Sequence, residues 1–149
     1  MKMRRTITLR SGVALLLFIV SVTCQSDIHY RLQKHIFPTI YDIHITVDLD
    51  ILKFSGSETI YVNANQPTSA IELHALDLSI DDVQVIEGEN AISISSTEYA
   101  NETQIFKIIL EHNLAAGRNY HITLNFEGAI RDDMKGLYRS SYYENSVVK

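Results

Sequence analysis

The sequence predicts an all-β fold, an antiparallel sandwich of stacked sheets. Three observations carry that reading. Apolar residues recur with a period of two in segment after segment, which places alternate side chains on one face of a strand. Turn-forming residues separate these segments at hairpin spacing. Between residues 27 and 149 no stretch of ten residues holds a helical period of 3.6.

The first segment belongs to another kind of structure. Arg10 is followed by sixteen uncharged residues, whose centre, Val13–Val22, is a ten-residue apolar block. A membrane-spanning helix needs about 20 apolar residues. A basic start, a short apolar block and a small-residue site read instead as a signal peptide over residues 1–24, with Val22 and Cys24 before the cleaved bond. An uncleaved signal-anchor is the alternative. A lipoprotein reading of Cys24 would want an apolar residue where Ser21 stands. Cleavage before Gln25 leaves a mature domain, 25–149, without cysteine, and places the product in the secretory pathway, extracellular or on the cell surface.

Within the mature chain, Tyr41, Ile43, Ile45, Val47 and Leu49 alternate with polar residues over Ile40–Asp50, which predicts a half-buried strand with its apolar row in the core. Phe54–Asn65 repeats the pattern with Ile60, Val62 and Ala64 inward, and the short connection at Asp50–Lys53 predicts a hairpin. Asn65-Gln66-Pro67-Thr68 breaks the run, because Pro cannot donate to a sheet ladder. Ile71 and Leu73 start a strand that stops near Ala75–Asp77. Leu78–Ile86 is one strand or two, with a bulge at Asp81-Asp82 where the alternation slips. Glu87–Asn90 is a turn, after which Ala91–Ser95 places Ile92 and Ile94 on one face; the polar stretch Ser95–Gln104 reads as a loop. Gln104–Glu111 and Tyr120–Glu127 are strands, the second with Tyr120, Ile122, Leu124 and Phe126 in strict alternation, joined through a turn at Ala115–Arg118. The tail, Gly136-Leu-Tyr-Arg-Ser-Ser-Tyr-Tyr143, is dense in aromatic and hydroxyl residues. It reads either as a terminal strand or as part of an incomplete domain.

The chain has 149 residues and a formal charge of −5. All four charges in residues 1–24 are basic, so the rest carries nine basic and eighteen acidic residues, a balance of −9. Such a surface repels phosphate backbones and argues against nucleic acid as a partner. One cysteine excludes a disulfide scaffold or a Cys-rich zinc module.

No catalytic centre is readable. Gly-rich phosphate loops, Gly-x-Ser-x-Gly elbows and His-Glu-x-x-His motifs are missing from the sequence. The histidines at 29, 35, 44, 74, 112 and 121 form no pair at metal-ligand spacing; His44 and His121 fall on polar strand faces and His112 at a strand end. Asp48 with Asp50, Asp81 with Asp82 and Asp132 with Asp133 are carboxylate pairs, best read as charged turns and wet faces, since acid–base work also needs a cleft and displaced pKa values. The residues therefore assign no catalytic, metal-binding or cofactor-binding side chain. One modification motif stands out. Asn101-Glu102-Thr103 is an N-glycosylation sequon in the expected loop, so Asn101 is the expected glycan acceptor.

Four stretches carry a family resemblance: Phe37-Pro-Thr-Ile-Tyr-Asp-Ile43; Phe54-Ser-Gly-Ser-Glu-Thr-Ile60; Ala70-Ile-Glu-Leu-His-Ala75 followed by Leu78-Ser-Ile80; and Asn125-Phe-Glu-Gly128 with Arg131-Asp-Asp-Met-Lys-Gly-Leu-Tyr-Arg-Ser-Ser-Tyr142. In that order they resemble the N-terminal β domain of the M1 zinc aminopeptidases, of the insect aminopeptidase N type, with Leu137 where Phe is usual. The resemblance implies a saddle-like β domain that packs over a thermolysin-like catalytic domain. It implies that peptides are bound only through that second domain, and that the zinc belongs to the full-length enzyme. The family's zinc helix, its Gly-Ala-Met-Glu-Asn loop and its catalytic Tyr have no match in these residues. Two readings follow: the non-catalytic N-terminal domain of a secreted or membrane-anchored aminopeptidase, present as a fragment, truncated gene product or degenerate copy, or a stand-alone secreted β-sandwich that binds protein or carbohydrate without enzymatic activity.

Overall fold

A computed structural model describes residues 30–149 apart from 135, 142, 145, 146 and 149. The segment read as a signal peptide lies outside the described residues. The described elements are all strands: β1 (Ile36–Asp48), β2 (Lys53–Ala64), β3 (Thr68–His74), β4 (Leu78–Glu87), β5 (Asn90–Ile92), β6 (Ile94–Ala100), β7 (Ile105–Leu114), β8 (Arg118–Ala129), β9 (Tyr143–Glu144) and β10 (Val147–Val148). They form a five-stranded sheet in the order β1-β2-β8-β4-β5, a three-stranded sheet β3-β7-β6 and a small β9–β10 ladder. Every strand pair is antiparallel. The all-β expectation holds.

Turn chemistry sets the register. Asp48 Oδ1 accepts the backbone N–H groups of Asp50 and Ile51, at 3.0 and 3.2 Å, and so closes the β1–β2 hairpin. The β4–β5 turn has Gly88 at φ 62° and the β7–β8 turn has Gly117 at φ 76°, conformations that glycine adopts without a Cβ penalty. The bulge read at Asp81-Asp82 is present. The β4–β8 register slips between Asp81 and Gln84, Asp82 has φ 48°, and Asn125 Nδ2 donates to Asp82 Oδ2 at 2.9 Å.

The core lies between the two larger sheets. Ile60 and Val62 of β2, Val85 of β4 and Tyr120 and Ile122 of β8 join Ile71 of β3 and Phe106, Ile108 and Leu110 of β7 in one buried cluster. Ile71, Ile108, Ile122 and Val85 are the largest fully buried side chains. Each contributes about 1.5–3 kcal/mol relative to an exposed position. Buried Tyr120 also anchors its neighbouring turn, its hydroxyl accepting the Ala115 N–H at 2.9 Å.

Four expectations are corrected. The row Tyr41, Ile43, Ile45, Val47 of β1 is exposed, at 54, 51, 51 and 45%, and Leu49 stands in the turn at 73%. The alternation is real, but no described element lies over that part of the sheet. Ile92 and Ile94 do not share a strand: the chain changes sheets at Ser93, so that Ile92 pairs with Val85 and Ile94 with Leu110. The polar stretch after Ser95 is mostly strand, since β6 runs to Ala100 and only residues 101–104 form the turn. β6 is an edge strand exposed along most of its length, so it needs few apolar residues. His112 likewise lies inside β7 rather than at its end.

Candidate functional site

Directly paired residues of an antiparallel sheet share a face, so the register lists the inner rows of the five-stranded sheet. The first row is Tyr41, Ile60, Ile122 and Val85. The next is Ile43, Glu58 and Leu124, and then Ile45, Gly56, Phe126 and Ile80. Along each row burial falls from β8 towards β1. Leu124 and Phe126 are buried, Glu58 and Gly56 are half-buried, and Ile43 and Ile45 are open. The result is a groove of about 370 Å³, floored by these rows and walled by Leu73 and His74 at the edge of the smaller sheet.

Glu58 is the anomaly in that groove. Its inward neighbours along β2 are Gly56 and Ile60, and the residues level with it are apolar. Burial pushes its carboxyl above the usual 4.5, because a charged carboxylate loses hydration among apolar groups. Among the described residues no cation forms a salt bridge with it. The signal was present in the sequence: Glu58 is the one charged residue in the inward row Phe54, Gly56, Glu58, Ile60, Val62, Ala64. Reading the strand for its period alone passes over it.

The pairing explains two of the sequence motifs together. Phe54 lies opposite Gly128 and Gly56 opposite Phe126. Each ring covers a glycine on the neighbouring strand, and the two rings meet edge to face with centroids 6.3 Å apart. A Cβ on Gly56 would collide with the Phe126 ring and the His44 carbonyl oxygen; one on Gly128 would collide with the Phe54 ring. The two Phe-x-Gly patterns, at residues 54–56 and 126–128, are one interlocked unit. A third motif folds back on itself. Arg139 N–H donates to the Arg131 carbonyl at 2.8 Å, and Arg139 holds Asp132 through two bonds of 2.9 and 3.0 Å. Arg131 contacts Asp77 and donates to Asp133 at 3.0 Å. Asp133 first, and then Asp77, raise its guanidinium above the ordinary value. These pairs are exposed and fix the path of the loop rather than adding much stability.

Of the remaining sequence candidates, His44, Asp81 and Asp82 line one open surface pocket, and the others stay apart. His44 lies on the open outer face of β1 opposite Ser57, and His121 meets the Tyr61 ring at a tilt of 36°, centroids 5.8 Å apart. His35 has a buried Nδ1 without a partner among the described residues. Asp48 caps a turn, Asp82 braces a bulge, and Asp132 and Asp133 pair with arginines. No group of three or more His, Cys, Asp or Glu among the described residues is placed to hold a metal ion, so these residues do not fit the zinc site of a peptidase. Asn101 is exposed and opens the four-residue turn between β6 and β7.

Comparison with known proteins gives the same frame as the motifs. The description Peptidase M1 N-terminal domain matches residues 37–149. Aminopeptidase N of Canis lupus familiaris is 31% identical over 133 residues, which cover 81% of this chain and 14% of that protein. Aminopeptidase N of Mus musculus is 30% identical over 132 residues, 80% of this chain and 14% of that protein. The thyrotropin-releasing hormone-degrading ectoenzyme of Homo sapiens is 27% identical over 114 residues, 75% of this chain and 11% of that protein. The chain thus spans about 14% of the length of the aminopeptidases it matches. With the match running through both sheets and the interlocked glycine unit, this chain belongs to the family of M1 peptidase N-terminal domains.

Proposed function

We propose that this chain serves as the non-catalytic N-terminal domain of a secreted or membrane-anchored zinc aminopeptidase, an enzyme that removes N-terminal residues from peptides. The observation that carries this reading is the family match across both sheets, taken with the open apolar row of β1. A stand-alone module gains nothing from four large apolar side chains in water, whereas a domain built to be covered does. On this reading the domain supplies a rigid support, and zinc, which would activate water for peptide hydrolysis, is held by residues of the catalytic domain. Two experiments decide. The gene is read beyond the codon for Lys149, and its longest product is assayed beside this chain on aminoacyl-4-nitroanilides with metal analysis. The expected result is a longer product that hydrolyses the substrate and holds one zinc, while the 149-residue chain does neither. A stop codon after Lys149, together with abundant short secreted protein, would overturn the reading in favour of the stand-alone binding module.

The secretory route also gives Asn101 a role. Its exposed hairpin-tip position suits an N-glycan, because the acceptor nitrogen must be reached before or outside the packed core. Expression through a eukaryotic secretory pathway should give a product starting near Gln25 whose mobility shifts with an amidase that removes N-glycans. Asn101→Gln should abolish that shift; an unchanged shift would place the glycan elsewhere.

A further inference from the structure

We propose that the Tyr99 ring is a platform for the first sugar of an N-glycan on Asn101. That sugar, an N-acetylhexosamine, lays its C–H face on the phenol and braces the β6–β7 hairpin. The inference rests on the reading of Asn101 as a glycan acceptor and goes beyond it, to what the attached sugar touches. Attachment joins the sugar's C1 to Asn101 Nδ2. A lipid-linked oligosaccharide is the donor, its pyrophosphate leaves, and the amide gives up one proton. Three features of the hairpin then place the sugar. First, Tyr99-Ala100-Asn101 sets the aromatic residue two positions before the acceptor. Residues two apart along a strand point to one side of the sheet and stand roughly 7 Å apart. Asn101 directly follows β6, so its side chain leaves from the side that Tyr99 occupies. Second, the ring is a fixed and open surface. Its hydroxyl donates to the Ala75 carbonyl at 2.6 Å, while 41% of the residue stays exposed. Third, the rest of the sequon is drawn into the turn. Thr103 is half-buried and its hydroxyl donates to the Ala100 carbonyl at 3.5 Å, whereas Asn101 is exposed.

The hairpin is weakest where the sugar would lie. Six of the seven residues of β6 are exposed, so little apolar burial holds this strand, and Tyr99 is its one aromatic residue. Gln104 closes the turn at φ 57°, a left-handed conformation that costs a residue with a Cβ. The chemistry of the sugar fits the ring. Axial C–H bonds on the pyranose carry slight positive charge and suit the negative face of an aromatic system. Stacking on a ring already pinned by a hydrogen bond costs little further ordering. The sugar hydroxyls remain in water. The glycan also stays clear of the β1 row that the catalytic domain is proposed to cover. In the smaller sheet β6 is the strand farthest from β3, and β3 is the strand that walls the groove beside β1.

The test uses the full chain secreted from eukaryotic cells, its glycan trimmed by an endoglycosidase to the first sugar. Chemical denaturation compares this product with Asn101→Gln, and glycosylated Tyr99→Leu with the double variant Tyr99→Leu/Asn101→Gln. With Tyr99 in place, the sugar should raise the folded-to-unfolded ratio at least about threefold. Tyr99→Phe keeps the ring and loses only the bond to Ala75, so it should keep that gain. Tyr99→Leu should lose it. A second measurement needs no substitution: in the trimmed wild-type chain, nuclear Overhauser contacts should join the Tyr99 ring protons to the C–H protons of the sugar. Absent contacts, no gain in the wild type, a gain that survives Tyr99→Leu or one lost in Tyr99→Phe would overturn the platform while the glycan itself stands. A chain secreted with Asn101 unmodified would overturn both, and neither result bears on the aminopeptidase reading.

Discussion

Strands β1 and β8 belong to one sheet, share the same strict alternation and are separated only by β2, yet they meet opposite environments. In β8, Tyr120, Ile122, Leu124 and Phe126 are all at most 8% exposed. In β1 the corresponding row, Tyr41, Ile43, Ile45 and Val47, is about half open. The smaller sheet lies over the β8 side and leaves the β1 side bare. Period-two alternation therefore reports which face of a strand is apolar, and what covers that face is decided by another element of the protein. An open row of this length on a natural domain marks a surface meant to be covered.

The comparison can be broken at several points. The largest effect is expected at Ile122→Lys, which puts an unpaired charge where nothing is exposed. The loss should exceed about 3 kcal/mol and remove the cooperative melt. Gly56→Ala comes next. The new methyl must displace either the Phe126 ring or the β1 backbone at His44, at about 1–3 kcal/mol by chemical denaturation, with m unchanged. Val47→Lys sits on the open row and should cost less than about 1 kcal/mol, although the alternation read alone puts it in the core. A loss as large as that of Ile122→Lys would mean the row is covered within this chain.

Glu58→Gln sharpens the comparison through pH. The native carboxyl titrates above 4.5, so as pH rises past that value the unfolded chain loses its proton first. The native state then binds more protons than the unfolded state, and stability falls with rising pH until the native carboxyl has ionised too. Below both values the acid imposes no penalty. The melting temperature of Glu58→Gln should therefore rise relative to wild type as pH increases from about 4 to neutrality. A constant difference across that range would mean that Glu58 sees water in both states.

Much of the fold was legible because its determinants are local. The Asp50 turn, the Asp81-Asp82 bulge, the breaks at Pro67 and Ala75 and the inward rows of β2 and β8 all follow from alternation and turn residues. What escaped depends on partners distant in sequence. Ile92 and Ile94 look like one strand until the chain is seen to change sheets between them, and β6 looks like a loop because an exposed edge strand tolerates polar residues. The groove was half legible. Its acid stands out in the inward row of β2, but its openness depends on where the three-stranded sheet ends.

Ile43 and Leu124 occupy one inner row, on either side of Glu58, so they compare the two regions with all else held constant. The most direct test is thermal unfolding of Ile43→Lys beside Leu124→Lys, each in the full secreted chain. Leu124→Lys should lose its cooperative transition, while Ile43→Lys should melt within a few degrees of wild type, as expected for a loss under about 1 kcal/mol. Equal losses at both positions would contradict the account, because they would show the face of β1 to be already buried.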